Sequence, residues 1–304
     1  MIPKCWNEVV RENEPLKNHT TMRCGGPAKL FAEPRSEEEL IEISNYAKSQ
    51  GLETYILGAG SNVLFMDEGF DGIVIHIGRE MGGIEITDEG DSCLIKAGGG
   101  CSMALFGSKC ASEGLEGAEF ICGIPGTIGG GVYMNAGAYG REIKDIAVSA
   151  RYVKDGEVHE IAAQDMKLGY RTSIFEEMEG AIVTSFTARL NKGDKQAIAD
   201  LVNQLREKRT ASQPLDVPSA GSTFKRPTGY YAGALIQESN LKGFALDDSG
   251  AQVSPKHAGF VVNNGGKANA SDVLRLINYV IDKVKADSGV TLEPEVRIVK
   301  GGKD

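Results

Sequence analysis

The chain has 304 residues, 41% of them hydrophobic and 25% charged, and a formal net charge of -9. That length suits two domains or one large divided domain, and the acidic balance excludes a nucleic-acid or anionic-membrane surface as the main partner. The six cysteines (Cys5, Cys24, Cys93, Cys101, Cys110, Cys122) form no C-x-x-C pair and have no histidine at zinc-like spacing, so neither a metal site nor a disulfide framework is expected.

Met1–Arg11 lacks the apolar core of a secretory signal, which implies a cytoplasmic chain with reduced, buried thiols. Ser36 followed by Glu39 reads as a capping box, with Leu40, Ile43 and Ala47 on one helix face and Gly51 as the stop. Strands are predicted at Thr54–Leu57, Gly72–Ile77 and Cys93–Ala97, and a helix at Ser102–Glu113. Ile146–Val153 and Val158–Ile161 read as a hairpin turning at Asp155-Gly156. A helix is predicted at Asp194–Lys208, with Ile198, Leu201, Val202 and Leu205 on its apolar face, and another at Ser271–Lys285, with Val273, Ile277, Val280 and Val284. The chain then alternates through Val290, Leu292, Val296 and Ile298 as a strand would. Helices and strands are interspersed without a long series of clean β-α-β units, which favours an α+β fold.

Three G-x-G pairs begin at Gly58, Gly98 and Gly129, but Val63, Met103 and Met134 stand where the Rossmann fingerprint needs its third glycine. Gly266-Lys267 and Gly302-Lys303 both fail the P-loop pattern. What remains is LGAGSN at Leu57–Asn62 and GIPGTIGGGVYMNAGAYG at Gly123–Gly140. The second holds seven glycines, two alanines and no charge. Phe120–Gly140 is long enough to span a bilayer but too polar, and its glycines argue against a helix. Main-chain N–H groups of two such segments suit a pyrophosphate, with a flat ring packed on bare backbone. Together they suggest a dinucleotide cofactor held without the Rossmann fingerprint.

These segments, with NHTTMRCGGPA at Asn18–Ala28, resemble the FAD-binding half of UDP-N-acetylenolpyruvoylglucosamine reductases. YRTSIF at Tyr170–Phe175, GSTFKRP at Gly221–Pro227 and LEPEVR at Leu292–Arg297 resemble that family's catalytic motifs in the same order. The resemblance covers nearly the whole chain. It implies a two-lobed FAD-binding region of the vanillyl-alcohol-oxidase-like type at 1-192 (lobes about 1-80 and 81-192), then a smaller α+β substrate-binding domain at 193-304. It implies non-covalent FAD, NADPH as co-substrate and UDP-N-acetylglucosamine enolpyruvate as substrate, in a monomer with no nucleic-acid or membrane partner. FAD would be held by Leu57, Gly58, Gly60, Ser61, Asn62, Gly123, Pro125, Gly126, Thr127, Gly129, Gly130, Asn135, Gly137 and Ala138. Departures are small: Ala59 replaces a common glycine, Cys24 a β-branched residue, and the short run from Pro227 to YYAGALIQ resembles the form that lacks a substrate-covering loop.

The implied reaction reduces an enolpyruvyl ether to a lactyl ether, with charge building on the substrate carboxylate. Arg171 matches the residue that meets this charge, since guanidinium grips carboxylate bidentately; the adjacent Tyr170 reads either as a substrate-positioning residue or as a core residue. Ser222 matches the family's proton donor. Glu293 and Glu295 fall on the same face of the presumed strand, so alternation does not choose between them; the family motif places the catalytic acid at Glu295. Lys225 and Arg226, near Ser222, are candidates for the substrate's carboxylate or diphosphate.

Overall fold

The computed structural model of the chain describes residues 6–301, so Cys5 and the Gly302-Lys303 pair lie outside the described residues. Helices and strands are interspersed, as the α+β reading expects. Internal packing divides the chain into two units. One comprises residues 6–11, Phe31–Ala59 and Ile73–Arg209; the other comprises Glu12–Leu30, Gly60–Gly72 and residues 210–301. This differs from a single cut at 192/193, because two N-terminal stretches group with the C-terminal part. A four-stranded sheet has the order Val10–Pro15, Pro27–Ala32, Phe70–His76, Glu53–Leu57.

The first unit is built on a six-stranded sheet. Its central strand, Ile182–Lys192, runs antiparallel to Ala147–Lys154 on one side and Ser92–Gly98 on the other. Glu157–Ala162 and Ile84–Asp88 lie outside these, and Leu115–Glu116 pairs with the end of the central strand. The central strand was not among the predicted elements. Residues 182–186 are all buried, so they lack the alternation that marks a half-exposed strand. The predicted hairpin forms: Lys154 stands opposite Glu157, and Asp155 and Gly156 both have positive φ (52° and 81°), as a two-residue primed turn requires. Ile95, Phe106, Ile128 and Phe186, all fully buried, centre the core.

The helix after Ser36 runs Glu37–Ser49 and buries Leu40, Ile43 and Ala47 as expected. Its capping box is altered. Ser36 accepts the Glu39 N–H, but the Glu39 carboxylate accepts from the Arg35 N–H and guanidinium instead of the cap's own N–H. The predicted helix Asp194–Lys208 is Lys195–Ser212, with Asp194 accepting the Ala197 N–H. Of its apolar row only Ile198 is buried, and Leu201 is 41% exposed. That row is not a core face of the kind its spacing predicts.

The glycine segment is built into this unit. Contrary to the sequence reading, part of it is helical: Ile128–Tyr133, capped by the Thr127 side chain, far short of a bilayer span. Its main chain lies directly on neighbouring main chains. The Gly129 N–H donates to Gly99 O and the Gly99 N–H donates to Thr184 O, at 2.8 and 2.7 Å. A Cβ on Gly99 would stand 2.4 Å from Val183 O, and one on Gly129 3.1 Å from the same oxygen. A side chain at Gly129 would thus crowd the backbone of Val183 and Gly99.

In the second unit the helix Ala270–Ser288 buries Val273, Leu276, Ile277, Val280 and Val284, with Asn269 and Asp272 forming a capping box and Gly289 the left-handed stop. Asp67 adds three bonds to its first turn, from Ala270 N, Ser271 N and Ser271 Oγ. The helix packs on the antiparallel pair Ala251–Val253 and Val261–Asn263 and on the short helix Ala232–Glu238. The strand expected through 290–298 is only Arg297–Val299, parallel to Val63–Phe65. Pro294 has no N–H for a ladder and makes a single bridge to Phe224.

Replacing Gly99 by alanine tests the main-chain stack. A backbone oxygen at 2.4 Å cannot step aside alone, so Gly99→Ala is expected to lower unfolding free energy by about 1–3 kcal/mol in urea titration. A loss below about 0.5 kcal/mol, within the range of neutral surface changes, would show that the strand yields.

Candidate active site

In the first unit, the end of strand Glu53–Leu57 meets the glycine segment. Leu57 is buried, and a Cβ on Gly58 would lie 2.4 Å from Thr127 Oγ1. Thr127 is nearly buried, its hydroxyl accepting from Gly130 N. The carbonyl of Gly126 accepts from Met103 N, which ties the loop Gly123–Thr127 to the helix Met103–Ser112. A Cβ on Gly130 would meet only Thr127 Oγ1, at 3.5 Å, so that face has room. Neither Leu57–Asn62 nor Gly123–Ala138 carries a charged side chain. Uncharged main-chain segments of this kind suit an anionic group held by N–H donors.

Asn135 has a different place from the one expected of it. It is fully buried, with φ 41°, and both ends of its amide bond to protein. Nδ2 donates to Gly169 O (2.8 Å) and Glu142 Oε2, and Oδ1 accepts from Lys144 N. Gly169 begins the turn that carries Tyr170 and Arg171, closed by the Gly169–Thr172 bridge. The Ser173 hydroxyl donates to Tyr133 O at 2.7 Å, and Arg171 Nη2 donates to Gly137 O at 3.2 Å. Three residues of the glycine segment thus fasten the Arg171 turn. Arg171 has φ 57°, a left-handed conformation uncommon for a side chain of this size and of the kind that collects at functional sites. Its guanidinium lies 5.3 Å from the Tyr170 ring, which is 51% exposed. Ala138 pairs with Arg141 across a turn at Tyr139-Gly140.

In the second unit, Thr223 is the hub. Its N–H donates to Gly259 O, its O accepts from Glu295 N, and its hydroxyl accepts from Val261 N, at 2.8 to 2.9 Å. Ser222, exposed, precedes this buried hub. Lys225 N donates to Glu293 O, so the Ser222 and Glu295 segments lie side by side. Asn62 Nδ2 donates to Glu295 O, and its O accepts from Arg297 N. Thr21, from the NHTTM motif, bonds Gly60 O and Ser219 O. Ser61 is half-buried beside them. Glu293 is exposed and pairs loosely with Lys225 at 3.5 Å, whereas Glu295 is half-buried. Arg226 lies 4.1 Å from the centre of the exposed Tyr231 ring.

Two residues were missed in the sequence. Arg209 packs its stem on Gly123; its Nε is buried and has no hydrogen-bond partner among the described residues, and burial holds its guanidinium below the usual arginine range. Basic residues ending a helix are common, so no sequence signal marks it. His257, which no sequence pattern singles out, shapes the site: its Nδ1 accepts from Gly259 N at 3.1 Å, which fixes the turn that receives Thr223. The described cysteines pack as small apolar groups, with Cys24, Cys93, Cys101 and Cys110 buried. Burial pushes the thiols of Cys24 and Cys110 up to about 12 and that of Cys101 to about 11. No group of three or more His, Cys, Asp or Glu side chains suited to a metal, and no helix long and apolar enough to cross a membrane, occurs among the described residues.

Two family models match the chain: an FAD binding domain over residues 28–162, and the UDP-N-acetylenolpyruvoylglucosamine reductase C-terminal domain over 213–299. A UDP-N-acetylenolpyruvoylglucosamine reductase of Agathobacter rectalis is 45% identical, over 95% of this chain and 93% of its own length. That of Clostridioides difficile is 43% identical, over 96% and 94%. The crystal structure of UDP-N-acetylenolpyruvylglucosamine reductase from Thermus caldophilus matches with a TM-score of 0.80 at 33% identity, covering 95% of this chain and 99% of that one.

The His257 turn carries a pH dependence of known sign. Burial lowers the imidazole pKa from 6.5, with Lys242 acting in the same direction. As pH falls below about 6.5 the unfolded chain takes up the proton first, so this contribution is complete above that pH and lost below it. Urea unfolding at pH 7.5, 6.5 and 5.5 is expected to show a steeper decline for the wild type than for His257→Gln. Parallel declines would remove His257 from that role.

Proposed function

We propose that this chain, which belongs to the UDP-N-acetylenolpyruvoylglucosamine reductase family, does its chemistry with Arg171, Ser222 and Glu295. It is an FAD-containing oxidoreductase that uses NADPH to reduce UDP-N-acetylglucosamine enolpyruvate to UDP-N-acetylmuramate, in peptidoglycan-precursor synthesis. The observation that most supports the residue assignment is the fastening of the Arg171 turn to the glycine segment through Asn135, Ser173 and Gly137.

FAD, when bound, supplies hydride transfer from NADPH to the enolpyruvyl double bond. Leu57–Asn62 and the Gly123–Thr127 loop would hold it by main-chain N–H groups, with the Thr127 and Ser61 side chains beside them. Gly137 and Ala138 would add backbone contacts to it, and Asn135 acts indirectly by holding the Arg171 turn. Arg209 adds a cation alongside Gly123. Arg171 grips the substrate carboxylate as negative charge develops there, a contribution realised in the transition state. Glu295 works with it to polarise that carboxylate, and Ser222 gives the proton to the α-carbon. Glu293 serves as a solvated partner of Lys225. Tyr170 positions substrate, and Lys225 and Arg226 meet its diphosphate. The functional division is an FAD-binding region at 1-192 and a substrate domain at 193-304, in a cytoplasmic monomer.

Flavin is expected in the supernatant after acid precipitation, because LGAGSN offers no histidine or cysteine for a covalent link; colour remaining in the pellet would contradict this. Ser222→Ala is expected to bleach normally near ~450 nm with anaerobic NADPH, then reoxidise with substrate roughly 10²–10⁴-fold more slowly. Slowed bleaching with normal reoxidation would move Ser222 to the NADPH step. Arg171→Ala is expected to slow the substrate half-reaction by roughly 10²–10³. Glu295→Gln should lose less than Glu295→Ala, with Glu293→Ala close to wild type; equal losses for Glu293→Ala would reverse the choice of glutamate.

A further inference from the structure

We infer that Tyr231 is a positioning residue that holds Arg226 ready for the diphosphate of the UDP-sugar. The inference rests on the reading of Arg226 as a diphosphate-binding residue and goes beyond it, because it assigns a task to an aromatic ring that no core requires.

Tyr231 is 63% exposed, more than any other large hydrophobic side chain described here, and its ring has the Arg226 guanidinium over it at 4.1 Å. The ring stands on fixed backbone. Tyr231 precedes the helix Ala232–Glu238, and its carbonyl accepts from Ala234 N and Leu235 N. That helix is seated by Ala232, Leu235 and Ile236, all in the second unit's core. Arg226 is anchored from the other side: Phe224 is buried and bridged to Pro294, and Lys225 N donates to Glu293 O. Between them Pro227–Tyr230 closes a turn, with Gly229 at φ 78° and Tyr230 N donating to Pro227 O. Arg226 Nε reaches back to Tyr230 O at 3.4 Å.

Stacking engages the face of a guanidinium, whereas oxyanions are gripped by its in-plane N–H edge, so the two do not compete. An arginine on an exposed loop otherwise loses much rotamer freedom when it binds, and fixing it beforehand lowers that cost. The short run from Pro227 to YYAGALIQ, which in sequence leaves the diphosphate without a covering loop, thus carries a preset cation instead. Tyr231 acts on affinity through Arg226 and has no part in the proton or hydride steps.

The test is a double-mutant cycle read as KM for UDP-N-acetylglucosamine enolpyruvate, with kcat and anaerobic NADPH bleaching measured alongside. Tyr231→Ala is expected to raise KM by about 3–10-fold, the range of an exposed to partly desolvated cation–aromatic contact, with little change in kcat or bleaching. Tyr231→Phe should restore KM to within about twofold, and Tyr231→Leu should behave as alanine. In an Arg226→Ala background Tyr231→Ala should add nothing. If it adds its full factor there, or if leucine restores KM, the ring acts by direct contact or simple packing and the inference fails. If Tyr231→Ala leaves KM unchanged while Arg226→Ala raises it, the inference fails and the reading of Arg226 survives. If Arg226→Ala leaves KM unchanged, that reading fails first. Thermal midpoints identify any misfolded variant, in which case the phenylalanine and leucine forms decide the matter.

Discussion

The first unit depends on a place where three main chains touch with nothing between them. Gly129 donates to Gly99, Gly99 donates to Thr184, and Val183 O occupies the space where a side chain on either glycine would project. Burial of backbone polar groups is tolerable only when each finds a partner, and here they find each other. The stack sets where the helix Ile128–Tyr133 begins, which sets Thr127 against Gly58. The same helix ends at the bend where Asn135 turns inward, and Asn135 holds Gly169 and hence the Arg171 turn. A contact made only of glycine backbone therefore sets the position of an arginine some forty residues downstream.

The second unit solves a similar problem with side chains. Thr223 uses its N–H, its carbonyl and its hydroxyl to join three short segments that form no regular sheet. Asn263, fully buried, joins Met22 O to Ala268 with both ends of its amide. Buried amides satisfied at both ends appear in each unit, and each ties segments far apart in sequence. Satisfied networks of this kind specify one arrangement, because any shift strands a polar group away from water.

Much of this was legible in the sequence, and what was not has physical reasons. The helix that Ser36 opens, the Asp155-Gly156 hairpin and the Ala270–Ser288 face follow local rules, and local rules were enough. The central strand Ile182–Lys192 escaped because 182–186 are buried on both faces, which removes the alternation from its first half. The row Leu201, Val202, Leu205 has helical spacing, yet spacing alone does not say what covers a face. The glycine segment was recognised as important, but its glycines were assigned wholly to a ligand, whereas Gly129 also packs closely against Val183 and Gly99. Asn135 looked like a ligand-facing donor because an uncharged amide among glycines suggests one; its burial is a property of three-dimensional packing. Between Glu293 and Glu295 the periodicity was silent; in the fold Glu293 is exposed and Glu295 half-buried.

The buried thiols carry one more implication. Reduced flavins react with dissolved oxygen, and the peroxide that results attacks thiolate far faster than thiol. Cys24, Cys101 and Cys110 sit in apolar surroundings that keep the proton on sulfur, so their oxidation is suppressed by the same packing that fills the cores. Under aeration these three positions would therefore gain little sulfenic or sulfinic acid from whatever peroxide the reduced cofactor releases beside them.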